Sequence, residues 1–183
     1  RICPECAKRD ADEKFHQFKD LVSGAMAAAS VAAVRALGRS YKMVTFTARK
    51  TGSVKVDVDN MRTWVRSWYD LWFNRRGIQA VKKQMMLDLQ ALDDMTGKQA
   101  AAAVNEIWRY IKTKFDPDHP ATGGIFALEI GGHLDHVHVH SLILSKYIPN
   151  TKEKPWAMWT WRAITGGSVV LDIHEVKPAD PQS

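Results

Sequence analysis

Alternation of hydrophobic and polar residues marks the strands of this chain. Successive side chains of a strand point to opposite faces of a sheet, so a period of two predicts strands. Such stretches are 40–48, 125–130, 136–144 and 168–176. A shorter alternating stretch is 53–59. The glycine-containing turn that joins the second and third of these stretches predicts an antiparallel hairpin.

Helical spacing of apolar residues accounts for most of the remaining sequence. It predicts helices over 12–37, 60–76, 78–95, 98–115 and 153–164. The first of these is rich in alanine and ends at a glycine. Strands mixed with segregated helices indicate an α+β fold with a central antiparallel sheet. Packed helices cover that sheet, and they include a helical insertion between the first strand and the hairpin.

Size and charge restrict the class of protein. The chain has 183 residues, of which 45% are hydrophobic, and this favours one main domain, 39–183, after an N-terminal segment, 1–38. A net charge of +6 and a pI of about 9.4 favour an anionic partner such as nucleic acid. No apolar run is long enough to span a bilayer and no cleavable signal is visible, so we expect a cytoplasmic protein without a membrane partner.

The only two cysteines stand close together near the start of the chain. Cys3 and Cys6 have the two-residue spacing of half a tetrahedral zinc knuckle, whose other two ligands would come from elsewhere. The alternative is a pair of reduced cysteines in a terminal segment without zinc. The sequence leaves a Zn²⁺ site at these residues open.

The hairpin carries a set of metal-binding side chains. His136, His138 and His140 occupy every second position of its second strand and share one face, and Glu129 lies on the strand before it. Two imidazoles and one carboxylate suit a divalent ion that also holds water or substrate oxygens. We expect His138, His140 and Glu129 to bind Mn²⁺ or Mg²⁺, although Zn²⁺ also fits. His136 is a further ligand, an orienting partner or a phosphate contact. The alternative is that the histidines are structural.

Three segments in order along the chain resemble a known family. The sequence "HVH" at 138–140 resembles the HUH motif (histidine, bulky hydrophobic residue, histidine) of rolling-circle replication initiators. The sequence "MVTFT" at 43–47 resembles the strand that precedes this motif, and "WAMWTWRAITGGSVVLDIHEV" at 156–176 resembles the segment that follows it. The resemblance implies an endonuclease of plasmids or related mobile elements that nicks and rejoins one DNA strand.

The resemblance also implies roles for residues of this sequence. The metal ligands would be His138, His140 and Glu129, and a tyrosine would become joined to the 5′ phosphate of the nicked strand. The family's tyrosine lies on a helix after the last strand of this region, which implies a nucleophile beyond Ser183. Tyr147, at the end of the strand with the HUH motif, is the less favoured candidate.

The resemblance implies single-stranded or hairpin origin DNA as the partner, with a host helicase as a second partner. Trp161 and Arg162 are the candidates for contacting the strand, by stacking on bases and by attracting phosphates. Relaxases and single-strand transposases share the motif and are alternatives within the same superfamily. An alternative from another class is a non-catalytic module that binds zinc or DNA.

Overall fold

The computed structural model describes residues 38–48, 50–114, 124–131, 136–168 and 170–176. The elements in these ranges, in chain order, are β1 (Ser40–Thr47), α1 (Val54–Asn74), α2 (Ile78–Leu92), α3 (Gly97–Lys114), β2 (Gly124–Gly131), β3 (His136–Ser145), α4 (Trp156–Thr165) and β4 (Val170–Glu175). The predicted alanine-rich helix and the Cys3 and Cys6 half site lie outside the described residues.

The four described strands form one antiparallel sheet in the order β2-β3-β1-β4. The strands β3 and β1 are central, and β2 and β4 lie at the edges. Both the α+β fold class and the β2–β3 hairpin are therefore confirmed. No helix in the described ranges has the length and apolar character needed to cross a membrane.

One face of the sheet packs against α1 and α4. Its buried apolar side chains are Val44, Phe46, Val137, Val139, Ile143 and Leu171. The Phe46 ring centroid lies 5.2 Å from that of Trp68 on α1 and 4.9 Å from that of Trp161 on α4. The indole N–H groups of Trp68 and Trp72 both donate to the hydroxyl oxygen of Thr160, at 3.1 and 3.0 Å. The tryptophans at helical spacing on α1 therefore face the core.

The start of α1 differs from the sequence prediction. The alternating stretch 53–59 forms the beginning of the helix, so the predicted short strand is wrong. The buried carboxylate of Asp57 accepts hydrogen bonds from the backbone N–H and the hydroxyl of Thr51, at 2.9 and 2.7 Å, which ties the preceding loop to the first turn. Val58 and the fully buried Met61 extend the apolar stripe of the helix toward the core. This packing outweighs the strand preference of the valines.

The other elements agree with the predicted segments to within three residues at each end. The strands at 40–48 and 136–144 were predicted from strict alternation, and each differs from the observed strand by one residue at its C-terminal end. Alternation therefore located the two central strands well.

Candidate metal centre

The candidate ligands lie on the face of the sheet opposite the tryptophan-rich core. The register places His138 between Glu129 on β2 and Thr47 on β1, and it places His140 opposite Thr45 on β1. Residues directly opposite each other in an antiparallel sheet point to the same face, with Cβ atoms about 4.5–5.5 Å apart. The two histidines, the two threonines and the glutamate therefore form one group, which we call the outer-face cluster.

A threonine hydroxyl contacts each imidazole of the outer-face cluster. The Nδ1 atom of His140 lies 3.1 Å from Oγ1 of Thr45, and Nδ1 of His138 lies 2.9 Å from Oγ1 of Thr47. The two rings are nearly parallel, with centroids 6.4 Å apart and an interplanar angle of 22°. Both rings are thus oriented in the same way, with the same nitrogen toward β1.

Glu129 contacts the second histidine. Its Oε2 atom lies 2.9 Å from Nε2 of His140, although Glu129 is opposite His138 in the register. The Glu129 side chain is 58% exposed and the His140 side chain is 32% exposed, so this pair contributes little to the stability of the fold. The carboxylate therefore lies beside the imidazole nitrogen that faces away from β1, where both atoms could bind one ion.

The donor chemistry of the outer-face cluster fits a divalent ion. Two imidazole nitrogens and a carboxylate oxygen are ligands that Mn²⁺ and Zn²⁺ accept, and Mg²⁺ prefers the oxygen. In the part of the chain that the structure describes, no three His, Cys, Asp or Glu side chains form a ready ion-binding cluster. Holding an ion would require the contact between His140 and Glu129 to be exchanged for contacts to that ion. The donor types of His138, His140 and Glu129 therefore suit a divalent ion, and the assignment of these residues as ligands stays a prediction.

Two predicted metal-binding features remain predictions. His136 is the first residue of β3, where the register places it opposite Gly131. Cys3 and Cys6 lie outside the described residues, so the zinc half site stays a prediction, as does the role of His136.

Trp161 and Arg162 are buried in the interior. Trp161 is fully buried, and its indole N–H donates to the backbone carbonyl of Thr47 at 3.1 Å. Arg162 is 5% exposed and forms ion pairs with Asp88 and Asp93 at the end of α2. Side chains enclosed in this way cannot stack on bases or reach phosphates while the fold is intact. This burial argues against the predicted DNA contacts of the two residues.

Two of the tyrosines use their hydroxyl groups in hydrogen bonds within the protein. Tyr69 is mostly buried, its hydroxyl lies 2.6 Å from that of Ser141, and burial raises its pKa above the usual value. The hydroxyl of Tyr110 donates to the backbone carbonyl of Tyr147 at 2.7 Å, and burial also raises the pKa of Tyr110. A raised pKa disfavours the tyrosinate form of both residues.

The other two tyrosines are far along their strands from the outer-face cluster. Tyr147 follows the end of β3, and the strand from His140 to Ser145 alone spans about 16 Å at roughly 3.3 Å per residue. Tyr41 stands near the start of β1, about 13 Å from Thr45 by the same rise. None of the four tyrosines of the chain, all of which the structure describes, therefore adjoins the candidate metal centre.

The strand β4 adds a further histidine and carboxylate that the sequence analysis missed. Nε2 of His174 lies 2.5 Å from Oδ2 of Asp172, and both side chains are exposed. Asp172 is opposite Thr45, so this pair shares the face of the outer-face cluster. The alternation in "LDIHE" puts the two residues on one face, but only the strand order shows which face it is.

Comparisons with protein-family models, with curated proteins and with solved structures found no match for this chain. Function has therefore to be inferred from the residues of the site.

Proposed function

We propose that this chain is the metal-binding part of an HUH endonuclease of the rolling-circle initiator type, which nicks and rejoins one strand of DNA. The observation that supports this best is the pair His138 and His140 on one face of a central strand, with Glu129 beside them on the neighbouring strand. The segments 43–47 and 138–140, which resemble the family in sequence, also pair directly with each other in the sheet. Two of the three segments that carry the resemblance are therefore neighbours in the sheet.

In this proposal His138, His140 and Glu129 hold a divalent ion, Mn²⁺ or Mg²⁺. A bound ion would neutralise the negative charge that develops on the oxygens of the scissile phosphate. The chain itself presents two imidazoles from a central strand, where hydrogen bonds to strands on both sides fix the backbone. The more exposed carboxylate of Glu129 completes the set from the edge strand.

The charges on the outer face support a role for a cation in DNA binding. Glu129 and Asp172 both place carboxylates on this face, and both side chains are more than half exposed. A phosphate that approaches the face therefore meets negative charge. A divalent ion at the histidines would offset that charge, and the net charge of +6 favours approach of DNA to the molecule as a whole.

The covalent step is assigned to none of the four tyrosines Tyr41, Tyr69, Tyr110 and Tyr147. In an HUH endonuclease the tyrosine oxygen forms a bond to the 5′ phosphorus while the 3′ oxygen leaves, and the reverse reaction rejoins the strand. We propose that this chain binds metal and DNA without forming this bond. A host helicase stays a predicted partner.

A binding experiment with labelled oligonucleotides tests the proposal. We expect single-stranded or hairpin DNA to bind more tightly with Mn²⁺ than without it, and the affinity to fall as salt rises. The gain with Mn²⁺ should be absent in His138→Ala and in His140→Ala. The matched control is His174→Ala, an exposed histidine on the same face, which should keep the gain. Equal gains in all of these proteins would contradict the proposal.

A denaturing gel tests the covalent step separately. The protein, incubated with Mn²⁺ and the oligonucleotide, should form no protein–DNA adduct. An adduct that Tyr147→Phe abolishes would make Tyr147 the nucleophile and would contradict the assignment given above.

A further inference from the structure

We propose that Thr45 and Thr47 are positioning residues that orient the two imidazoles for metal binding. This inference rests on the proposed metal-binding role of His138 and His140. Each hydroxyl lies within hydrogen-bond distance of the Nδ1 atom of the histidine directly across from it, at 3.1 and 2.9 Å. Neither threonine is itself a metal ligand in this proposal.

The threonine contacts use Nδ1 of each ring, so Nε2 of each ring is the candidate ligand atom. A neutral imidazole carries a proton on one nitrogen and a lone pair on the other. In His140 without metal, Nε2–H donates to the carboxylate of Glu129 and Nδ1 accepts from the hydroxyl of Thr45. Binding of an ion at Nε2 would reverse this tautomer, and the threonine oxygen would then accept from Nδ1–H. Histidines that bind metals commonly donate their other N–H to an oxygen in this way, and the bond fixes both the ring orientation and the tautomer.

The threonines are themselves fixed by their surroundings. A threonine side chain is branched at Cβ, so its first side-chain dihedral has few allowed values. Both threonines lie on a central strand, and both are partly buried. The backbone carbonyl of Thr47 also accepts the indole N–H of the fully buried Trp161. The core therefore holds β1, the β1 hydroxyls orient the imidazoles, and the imidazoles face the site.

Substitution by valine isolates the hydroxyl. Thr45→Val and Thr47→Val keep the branched shape and replace the hydroxyl that contacts Nδ1 by a methyl group. We expect each change to weaken Mn²⁺ binding by about 10–100-fold, as is usual when the partner of a metal-binding histidine is lost. Thr45→Ser and Thr47→Ser keep the hydroxyl and should recover most of the wild-type affinity. Thr63→Val, which makes the same chemical change on the exposed face of α1, is the matched control.

Calorimetric titration with MnCl₂ alone gives the affinities, and ¹⁵N spectra of the histidine rings without metal report the tautomers. Loss of affinity in the valine variants, recovery in the serine variants and a changed tautomer signal of His138 in Thr47→Val would together support the proposal. Thermal unfolding of each variant separates this effect from a loss of the fold.

The possible failures are distinguishable. If His138→Ala and His140→Ala abolish Mn²⁺ binding while both valine variants bind like the wild type, the positioning role is overturned and the metal site stands. Serine variants that lose as much affinity as the valine variants would also overturn it, because the hydroxyl would then not be the cause. Unchanged binding in the two alanine variants would overturn the metal site and the positioning role together.

Discussion

The two faces of β1 and β3 are stabilised by different interactions. On the core face, side chains such as Val44, Phe46 and Val139 are almost completely buried, and each contributes on the order of 1.5–3 kcal/mol by leaving water. On the outer face, threonines and histidines at the alternate positions form hydrogen bonds that contribute about 0.5–1.5 kcal/mol each. The same two strands thus carry the stability of the fold on one face and the candidate chemistry on the other.

This comparison teaches that neighbouring residues of one strand have separable roles. Phe46 stands between Thr45 and Thr47, yet its ring contacts tryptophans while their hydroxyls contact histidines. Substitutions one residue apart should therefore change different properties, either the free energy of unfolding or the affinity for a metal ion.

The largest expected effect is on the core face. Phe46→Ala should lower the free energy of unfolding by about 3–5 kcal/mol, because it removes a fully buried ring that contacts Trp68 and Trp161. Urea unfolding followed by tryptophan fluorescence measures this change. Thr45→Val, one residue away on the outer face, should change the free energy of unfolding by less than about 1 kcal/mol. Equal losses in the two variants would break the comparison.

The second test concerns Arg162, which is buried and forms ion pairs in the interior. Arg162→Met should lower the free energy of unfolding by about 3 kcal/mol, since it leaves the mostly buried carboxylate of Asp88 without its cation. Chemical unfolding measures the loss. At a temperature at which the variant is folded, its affinity for single-stranded DNA should match the wild type, and a selective loss of DNA affinity would contradict this interior role of Arg162.

Glu129 lies at the exposed end of the outer-face cluster, so its removal should affect metal binding without affecting the fold. Glu129→Ala should weaken Mn²⁺ binding by about tenfold, which is roughly 1.4 kcal/mol, because one of three proposed ligands is lost. His133→Ala, at a position outside the described residues, should weaken it less. Calorimetric titration of both variants measures their affinities for Mn²⁺. A larger loss in His133→Ala than in Glu129→Ala would contradict the choice of Glu129 as a ligand.

The smallest expected effect concerns Tyr69, whose hydroxyl lies on the core side and contacts Ser141. Tyr69→Phe should cost about 1 kcal/mol through the lost hydrogen bond. Burial raises the pKa of Tyr69, so the folded protein favours the neutral phenol. The stability from this group is complete below the unfolded pKa of about 10 and is lost as pH rises above it. Unfolding between pH 9 and pH 11 should therefore show a smaller pH dependence in Tyr69→Phe than in the wild type.

Local patterns predicted a large part of the fold. Strict alternation located β1 and β3, because a half-buried strand repeats its burial every second residue. The same rule failed at 53–59, where a stripe of residues packed on the core imposed a helix. Alternation also put His138 and His140 on one face, and the hairpin brought Glu129 to the same face.

The pairing of distant segments could not be predicted in the same way. The contacts of Thr45 and Thr47 with the histidines depend on β1 lying beside β3, across about ninety residues of sequence. The position of Asp172 on the outer face likewise depends on β4 pairing with β1. Periodicity describes which face a residue occupies, but strand order is set by packing among elements that are far apart in the chain.

The most direct test of the central claim is calorimetric titration with Mn²⁺ of the wild type, His138→Ala and His140→Ala, with thermal unfolding of the same samples. We predict that each alanine variant loses Mn²⁺ binding and unfolds within a few degrees of the wild type, because the outer face holds the metal and the core face holds the fold. His174→Ala should bind Mn²⁺ like the wild type. Unchanged affinity in both variants, or a tightly held zinc ion that survives both substitutions, would contradict a metal centre at these histidines.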